Sequence, residues 1–228
     1  VLGDDGSPVP DALVTARADR PGKQESTRTD QDGQFHFSLS PDRYAFTASK
    51  SGYVSMEFGA SRGQAAGTPI VVRVGVATAD VTIRILRGAI ISGAVYRPDG
   101  TPFANASVGV LGFRTNGNGE RALIVVSSAG ADDRGMYRIG GLEHGEYLVR
   151  VIVTETGSRE MMAYAPTYFP GSTFEGDAGR VAVTAAQERT GVDIVVARVR
   201  TVRLDGRVVD PRGVPYVLKA GDVQLERV

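Results

Sequence analysis

The 228-residue sequence contains no cysteine, so disulfides cannot staple it and cysteine-ligated zinc or iron–sulfur sites are excluded. It has no surplus of charge: 26 basic residues balance 26 acidic ones. A general polyanion binder carries a basic excess, so nucleic acid is not an expected partner. No apolar run approaches the roughly 20 residues that span a bilayer, and no membrane insertion is expected. Histidine is reduced to His36 and His144, and neither has a metal-ligand spacing such as His-Glu-x-x-His. His36 alternates with Phe35 and Phe37 and should face water, while His144 sits in a turn. Sustained helical periodicity with caps is also missing. At most, Ala185 to Arg189 has room for a turn of helix. Between Gly88 and Arg200 there is no lysine.

What is present is repetition. The stretch Thr29 to Tyr44, TDQDGQFHFSLSPDRY, returns as Asp132 to Tyr147, DDRGMYRIGGLEHGEY. Each copy has an acidic turn closed by a glycine, Gly33 or Gly135. Asp accepts hydrogen bonds from nearby amides and Gly tolerates positive φ, which suits both to tight turns. An apolar alternation follows (Phe35, Phe37, Leu39; Tyr137, Ile139, Leu142), the mark of a strand with one buried face. A second turn then leads to Tyr44 or Tyr147, opening another strand. Each copy therefore predicts strand, turn, strand.

A second repeated element precedes the first. Asp4 to Ala16, DDGSPVPDALVTA, matches Pro98 to Val110, PDGTPFANASVGV, and a third copy begins at Asp210 with DPRGVPYVL. Asp-Gly marks a turn, and the proline two residues later holds the chain extended. Repetition at about 100 residues means tandem domains rather than a short-period solenoid. The strand before this turn is visible as Ile90 to Tyr96 and Val202 to Val209, while the first copy retains only Val1 and Leu2 of it. The expectation is a segment of a longer array, cut inside a repeat at both ends. Further strands are predicted at Tyr44–Ala48, Ile70–Val74, Val81–Leu86, Tyr147–Val153, Val181–Thr184 and Val192–Val196, rich in Val, Ile and Tyr.

Two inserts distinguish the second copy. Gly112 to Ala122, with Asn116-Gly117 and Asn118-Gly119, favours a protruding hairpin. Thr156 to Gly179 carries Met161, Met162, Tyr164, Tyr168, Phe169 and Phe174 around APTYFPGS. Loops of this length are often functional, and aromatics with Met give large contact area for little ordering entropy. These six residues are the candidate binding surface, for a protein or a carbohydrate. The alternative is that they cap their own sandwich or pack on a neighbouring domain.

The pattern Gly-x-Val, Asp-x-x-Gly-x-Pro, small-x-Val, then Asp-x-x-Gly-aromatic and a closing Tyr resembles the carboxypeptidase regulatory-like domain. That family has a transthyretin-like (prealbumin-like) sandwich and is kin to collagen-adhesin B-type repeats. The resemblance covers most of residues 1–200 as two copies and the start of a third. It implies an accessory or structural module, usually outside the cytoplasm, and no activity by itself. Related adhesin repeats can carry a Lys–Asn isopeptide crosslink. The lysine-free stretch from Gly88 excludes it in the second copy, and Lys50, beside the Ser51-Gly52 turn, makes it unexpected in the first.

Other chemistry fares no better. Asp30, Asp32 and Gly33 look like half of a calcium loop, but the twelfth position counted from Asp30 is Pro41, which has no ligand. No Gly-x-Ser-x-Gly is present, and the glycine-rich stretches Gly59–Gly67 and Gly112–Gly119 lack the Gly-Lys-Ser/Thr ending of a phosphate loop. The expectation is therefore an all-β chain of tandem transthyretin-like/Ig-like β-sandwiches: 1–87, 88–200 and the opening strands of a third from 201 to 228. No catalytic residue, metal or cofactor is expected. The expected role is a structural or adhesive array of an exported bacterial protein, located extracellularly or in the cell envelope, as a stalk or filament segment. Its partners would be protein, met through the terminal strands. A carbohydrate- or protein-binding module, or an accessory domain of a larger enzyme, is the alternative.

Overall fold

The computed structural model describes residues 1–61, 66–74, 81–115, 119, 121–153, 162–200 and 208. Among these, regular structure is β throughout except for one 3-10 turn, Glu175–Asp177. Buried side chains gather in two large clusters, one drawn from Val1 to Ile85 and the other from Ala89 to Val196.

The first cluster lies against a sheet of β1 (Leu13–Ala18), β2 (Gln24–Arg28), β3 (Asp42–Ser49), β4 (Met56–Glu57) and β5 (Ile70–Val72). Strand order is β2-β1-β3-β4, with β5 also on β3. Period-two alternation sets the inner face: Val14, Ala16 and Ala18 of β1 and Tyr44, Phe46 and Ala48 of β3 are buried. Val1, Val9, Val54, Ile83 and Ile85 close the cluster from the other side.

The second cluster sits between two sheets. Its strands are β6 (Ala89–Tyr96), β7 (Ser107–Thr115), β8 (Arg121–Gly130), β9 (Met136–Leu142), β10 (Gly145–Ile152), β11 (Met162–Tyr164), β12 (Thr167–Tyr168), β13 (Val181–Val183), β14 (Glu188–Arg189), β15 (Ile194–Val195) and β16 (Arg198–Arg200). One layer runs β12-β10-β7-β8 with β13 on β10, the other β14-β6-β15 with β9 on β6. Val108, Val110, Val149 and Val151 from the first layer meet Ile91, Val95, Ile139 and Ile194 from the second. Each such aliphatic side chain contributes about 1.5–3 kcal/mol through burial. The pairing of β6 with β14 and β15 is parallel, as is the bridge Leu2 to Arg84 in the first half.

Both halves share one knot of backbone. The Val95 amide donates to Gly135 O at 2.8 Å and the Phe103 amide to Val95 O at 2.8 Å. Likewise the Val1 amine donates to Gly33 O, and the Val9 amide to Val1 O at 3.1 Å. The two turn glycines have φ of 70° and 74°. A methyl group on Gly33 would stand 2.5 Å from Val1 O, and one on Gly135 2.5 Å from Val95 O. Two further pairs confirm the equivalence: Asp11 and Asn105 both take positive φ, at 54° and 59°, and the Tyr44 and Tyr147 hydroxyls each donate to a carbonyl four residues back, at Ser40 and Glu143. The latter is the tyrosine-corner arrangement of β-sandwiches.

Two expectations are corrected. Ala185 to Arg189 is not helical: Ala186 has φ of 58° in a turn, and Glu188–Arg189 forms β14, pulled into the ladder by β6. The first copy of the organising stretch forms no strand over Phe35 to Leu39. In the second copy the same stretch is β9, held by β6, whereas in the first only Val1 and Leu2 stand in the place of β6. The insert at Gly112 to Ala122 follows the expected hairpin, since β7 and β8 run on as an antiparallel ladder to Thr115 and Arg121. Its tip, 116–118, and the third repeat apart from Val208 lie outside the described residues.

Gly135→Ala should destabilise the fold clearly more than Gly100→Ala. Both positions have positive φ, costing an alanine about 1–2 kcal/mol, but the space at Gly100 is open. Urea unfolding midpoints of the two variants check this, and equal losses would contradict the crowding at Val95 O.

Candidate functional site

The four repeated aspartates each have a local task. Asp5 Oδ1 accepts from the amide and hydroxyl of Ser7, and Asp99 Oδ1 does the same for Thr101 at 2.9 and 2.7 Å. Asp30 Oδ1 accepts from the Asp32 and Gln34 amides at 3.0 and 2.8 Å. Asp132 Oδ1 accepts from the Arg134 and Met136 amides at 3.0 and 2.7 Å. At Asp5, Asp99 and Asp132 these bonds favour the ionised form. The Ser7 and Thr101 hydroxyls, then their amides, hold the Asp5 and Asp99 carboxyls below the usual range. For Asp132 the Met136 amide is the largest cause. No group of three His, Asp or Glu residues able to hold a metal ion is found among the described residues. Both histidines are exposed.

Three further polar groups, on Lys50, Thr29 and Tyr137, are likewise tied inward. The Lys50 ammonium donates to Pro10 O at 2.6 Å. Thr29 is buried; its hydroxyl donates to Val9 O at 2.7 Å and accepts from the Ala12 amide at 2.8 Å. The buried Tyr137 hydroxyl donates to Val192 O at 2.6 Å. Burial, and secondarily the charge of Asp193, pushes its ionisation well up, so it stays a neutral donor.

The aromatic insert is dispersed rather than gathered on one face. Tyr164, on β11, pairs its backbone with Arg198 on β16. Its ring stands edge-on to Phe103, with centroids 5.1 Å apart. Arg97 lies over Phe103 at 4.2 Å and Arg198 over Tyr164 at 5.9 Å, at distances where a cation is drawn to the ring face. Tyr168 is buried with Leu111 and Leu148 on the outer face of β7 and β10, where β12 pairs with β10. Phe169 packs against the main cluster. Phe174 is 52% exposed. Met162 lies in β11, and Met161 lies outside the described residues. The structure thus brings Tyr164 to Phe103, a residue no sequence signal linked to the insert.

A cleft of about 240 Å³ lies where the halves meet, lined by Tyr53, Ser55, Arg114, Ser127, Gly141, Glu143 and others. The Arg114 and Glu143 side chains form an ion pair there at 3.2 Å. Sequence reasoning missed this junction because none of its residue types signals a site.

Residues 1–85 match the family model of the carboxypeptidase regulatory-like domain. No curated protein matches the chain significantly. Among solved structures it is similar to GBS52, the minor pilin of Streptococcus agalactiae, at 16% identity over 89% of each chain with a TM-score of 0.31. It is similar to the shaft pilin SpaA of Lactobacillus rhamnosus GG at 11% identity, over 89% of this chain and 92% of that one, with a TM-score of 0.31. It is similar to the Bacillus anthracis TIE protein at 14% identity, over 95% of this chain and 39% of that one, again at 0.31.

The lowered carboxyl values set an acid limit. Stability drawn from Asp5, Asp99 and Asp132 is fully present above the ordinary aspartate range and is lost as pH falls through their lower folded-state values. Asp99→Asn with Asp132→Asn, which keeps an acceptor oxygen but cannot titrate, should flatten the fall in urea midpoint below about pH 4. An unchanged slope would show that these turns do not govern the acid limit.

Proposed function

We propose that the chain is a non-catalytic structural module, a β-sandwich array that serves as spacer or adhesive stalk of an exported bacterial protein. The observation that supports this best is the use of its chemistry-bearing groups as scaffold. Turn aspartates hold amides, Lys50 holds a carbonyl, and Tyr44, Tyr137 and Tyr147 tie backbone. Catalysis needs a nucleophile or base free to meet substrate, and these groups are committed elsewhere. The match of residues 1–85 to a regulatory-like domain is in keeping with an accessory role. In this reading the units are 1–87, 88–200 and the start of a third from 201. The partners are protein: neighbouring units or subunits met through the terminal strands, in a surface stalk or filament outside the cytoplasm.

A binding module that uses the 161–174 insert is the competing reading, favoured by the exposure of Phe174. Calorimetric titration of the chain with cell-wall oligosaccharides separates the two. The structural reading expects no saturable heat, while saturable heat abolished by Phe174→Ala would replace it with carbohydrate binding. Protease treatment of intact cells that make the protein should remove it, and full protection would overturn the exported location.

A further inference from the structure

Counted from turn glycine to closing tyrosine, the second copy of the repeated stretch is one residue longer than the first. The first runs Gly33 to Tyr44 and the second Gly135 to Tyr147, with Phe37-Ser38-Leu39 replaced by Ile139-Gly140-Gly141-Leu142. The extra residue falls where the β6–β9 register slips: Ala89 pairs with Leu142, but Ile91 pairs with Ile139. Gly140 and Gly141 thus oppose Ile90 alone. With Gly141 at φ of 73°, this is a glycine bulge, which bends a strand and re-aims its backbone.

The bulge is aimed at the first half. A methyl group on Gly141 would stand 2.8 Å from Tyr53 O, and one on Gly88 would stand 2.5 Å from the Gly141 Cα. Gly88 is buried, and its amide donates to Gly52 O at 2.9 Å. The Val54 amide donates to Leu86 O at 2.8 Å, Tyr53 bridges Arg87, and the Arg87 guanidinium lies over the Tyr53 ring at 5.6 Å. Three backbone segments meet here, the turn at Gly52–Tyr53, the linker at Gly88 and the bulge at Gly141, and neither Gly88 nor Gly141 has room for a methyl group.

We propose that the Gly140-Gly141 bulge is a docking surface for the Gly52–Tyr53 turn of the unit before it, and that with Gly88 it locks the two halves at one angle. Domains in one chain move relative to each other unless a substantial interface holds them. Here a small interface suffices because its contact at Gly88, Gly141 and the Tyr53 carbonyl is backbone on backbone. The inference concerns the joint alone and holds whether or not the protein is exported.

The absence of cysteine allows a direct test. Spin labels at Gln24→Cys and Thr190→Cys, both exposed, report the distance between the halves by pulsed electron resonance. The otherwise unmodified chain should give one narrow distance distribution. Gly88→Ala should shift it or widen it about twofold, because released domains move freely. Gly140→Ala, whose methyl group would make an ordinary 3.5 Å contact with Ile90, should leave it unchanged. Tyr53→Ala, which keeps the backbone carbonyl, should leave it unchanged too. A broad distribution without any joint substitution, or a Gly88→Ala distribution that overlays the narrow one, overturns the proposal. If Gly88→Ala does not fold, the width in the otherwise unmodified chain decides: narrow sustains the lock and broad refutes it.

Discussion

A valine carbonyl with no room beside it organises each half of this molecule. At Val95 the first strand, the return from the Asp-Gly turn and the acidic turn converge within hydrogen-bond reach, and only a glycine can pass so close to the carbonyl oxygen. Val1 and Gly33 repeat the arrangement. The acidic turn must therefore close on glycine, and its aspartate must brace the loop from within. The strand after the turn then starts in fixed register, and with fixed register every alternate residue, from Tyr137 to Ile139, is committed to the core. The two repeated sequence elements are the two sides of this one crossing.

This explains how much could be read from the sequence. Turns that demand Asp, Gly and Pro leave residue-level marks, so both repeats, their closing tyrosines and the all-β class were legible. Strands without such marks were not. β2, QESTR, buries no residue fully, and its pairing with β1 rests on backbone bonds that any sequence makes. β8 is absent from the predicted strands, and β14 contributes two charged residues whose place depends on a parallel neighbour about 100 residues away in sequence. Phe35 to Leu39 carries a clear strand pattern without a strand, because alternation states which face is apolar and cannot supply a partner.

The aromatic insert was visible as composition, but not as arrangement. Tyr164 and Phe169 pack on the main cluster, while Tyr168 joins Leu111 and Leu148 on the outer face, and which side each meets is fixed by β11 joining β16 and β12 joining β10. Long-range pairings of this kind have no local signature. The same holds for the junction of the halves, where an added glycine reads as ordinary loop until the opposing carbonyl of Tyr53 is seen.

The parallel pairing of β6 with β14 and β15 has a mechanical consequence. Because the opening strand β6 runs parallel to the late strands β14 and β15, the chain enters this sheet at one pole and leaves β15 at the other. Tension along the chain then slides these strands lengthwise past each other, so their hydrogen bonds bear load together and cannot be peeled apart one at a time. Gly93, whose neighbour Val192 leaves no space for a methyl group, and Tyr137, bonded to the same Val192 carbonyl, act as a latch across the sliding surface. Resistance to pulling is governed by the unfolding rate and not by equilibrium stability, so a sandwich of modest stability wired in this way can still carry force along its length.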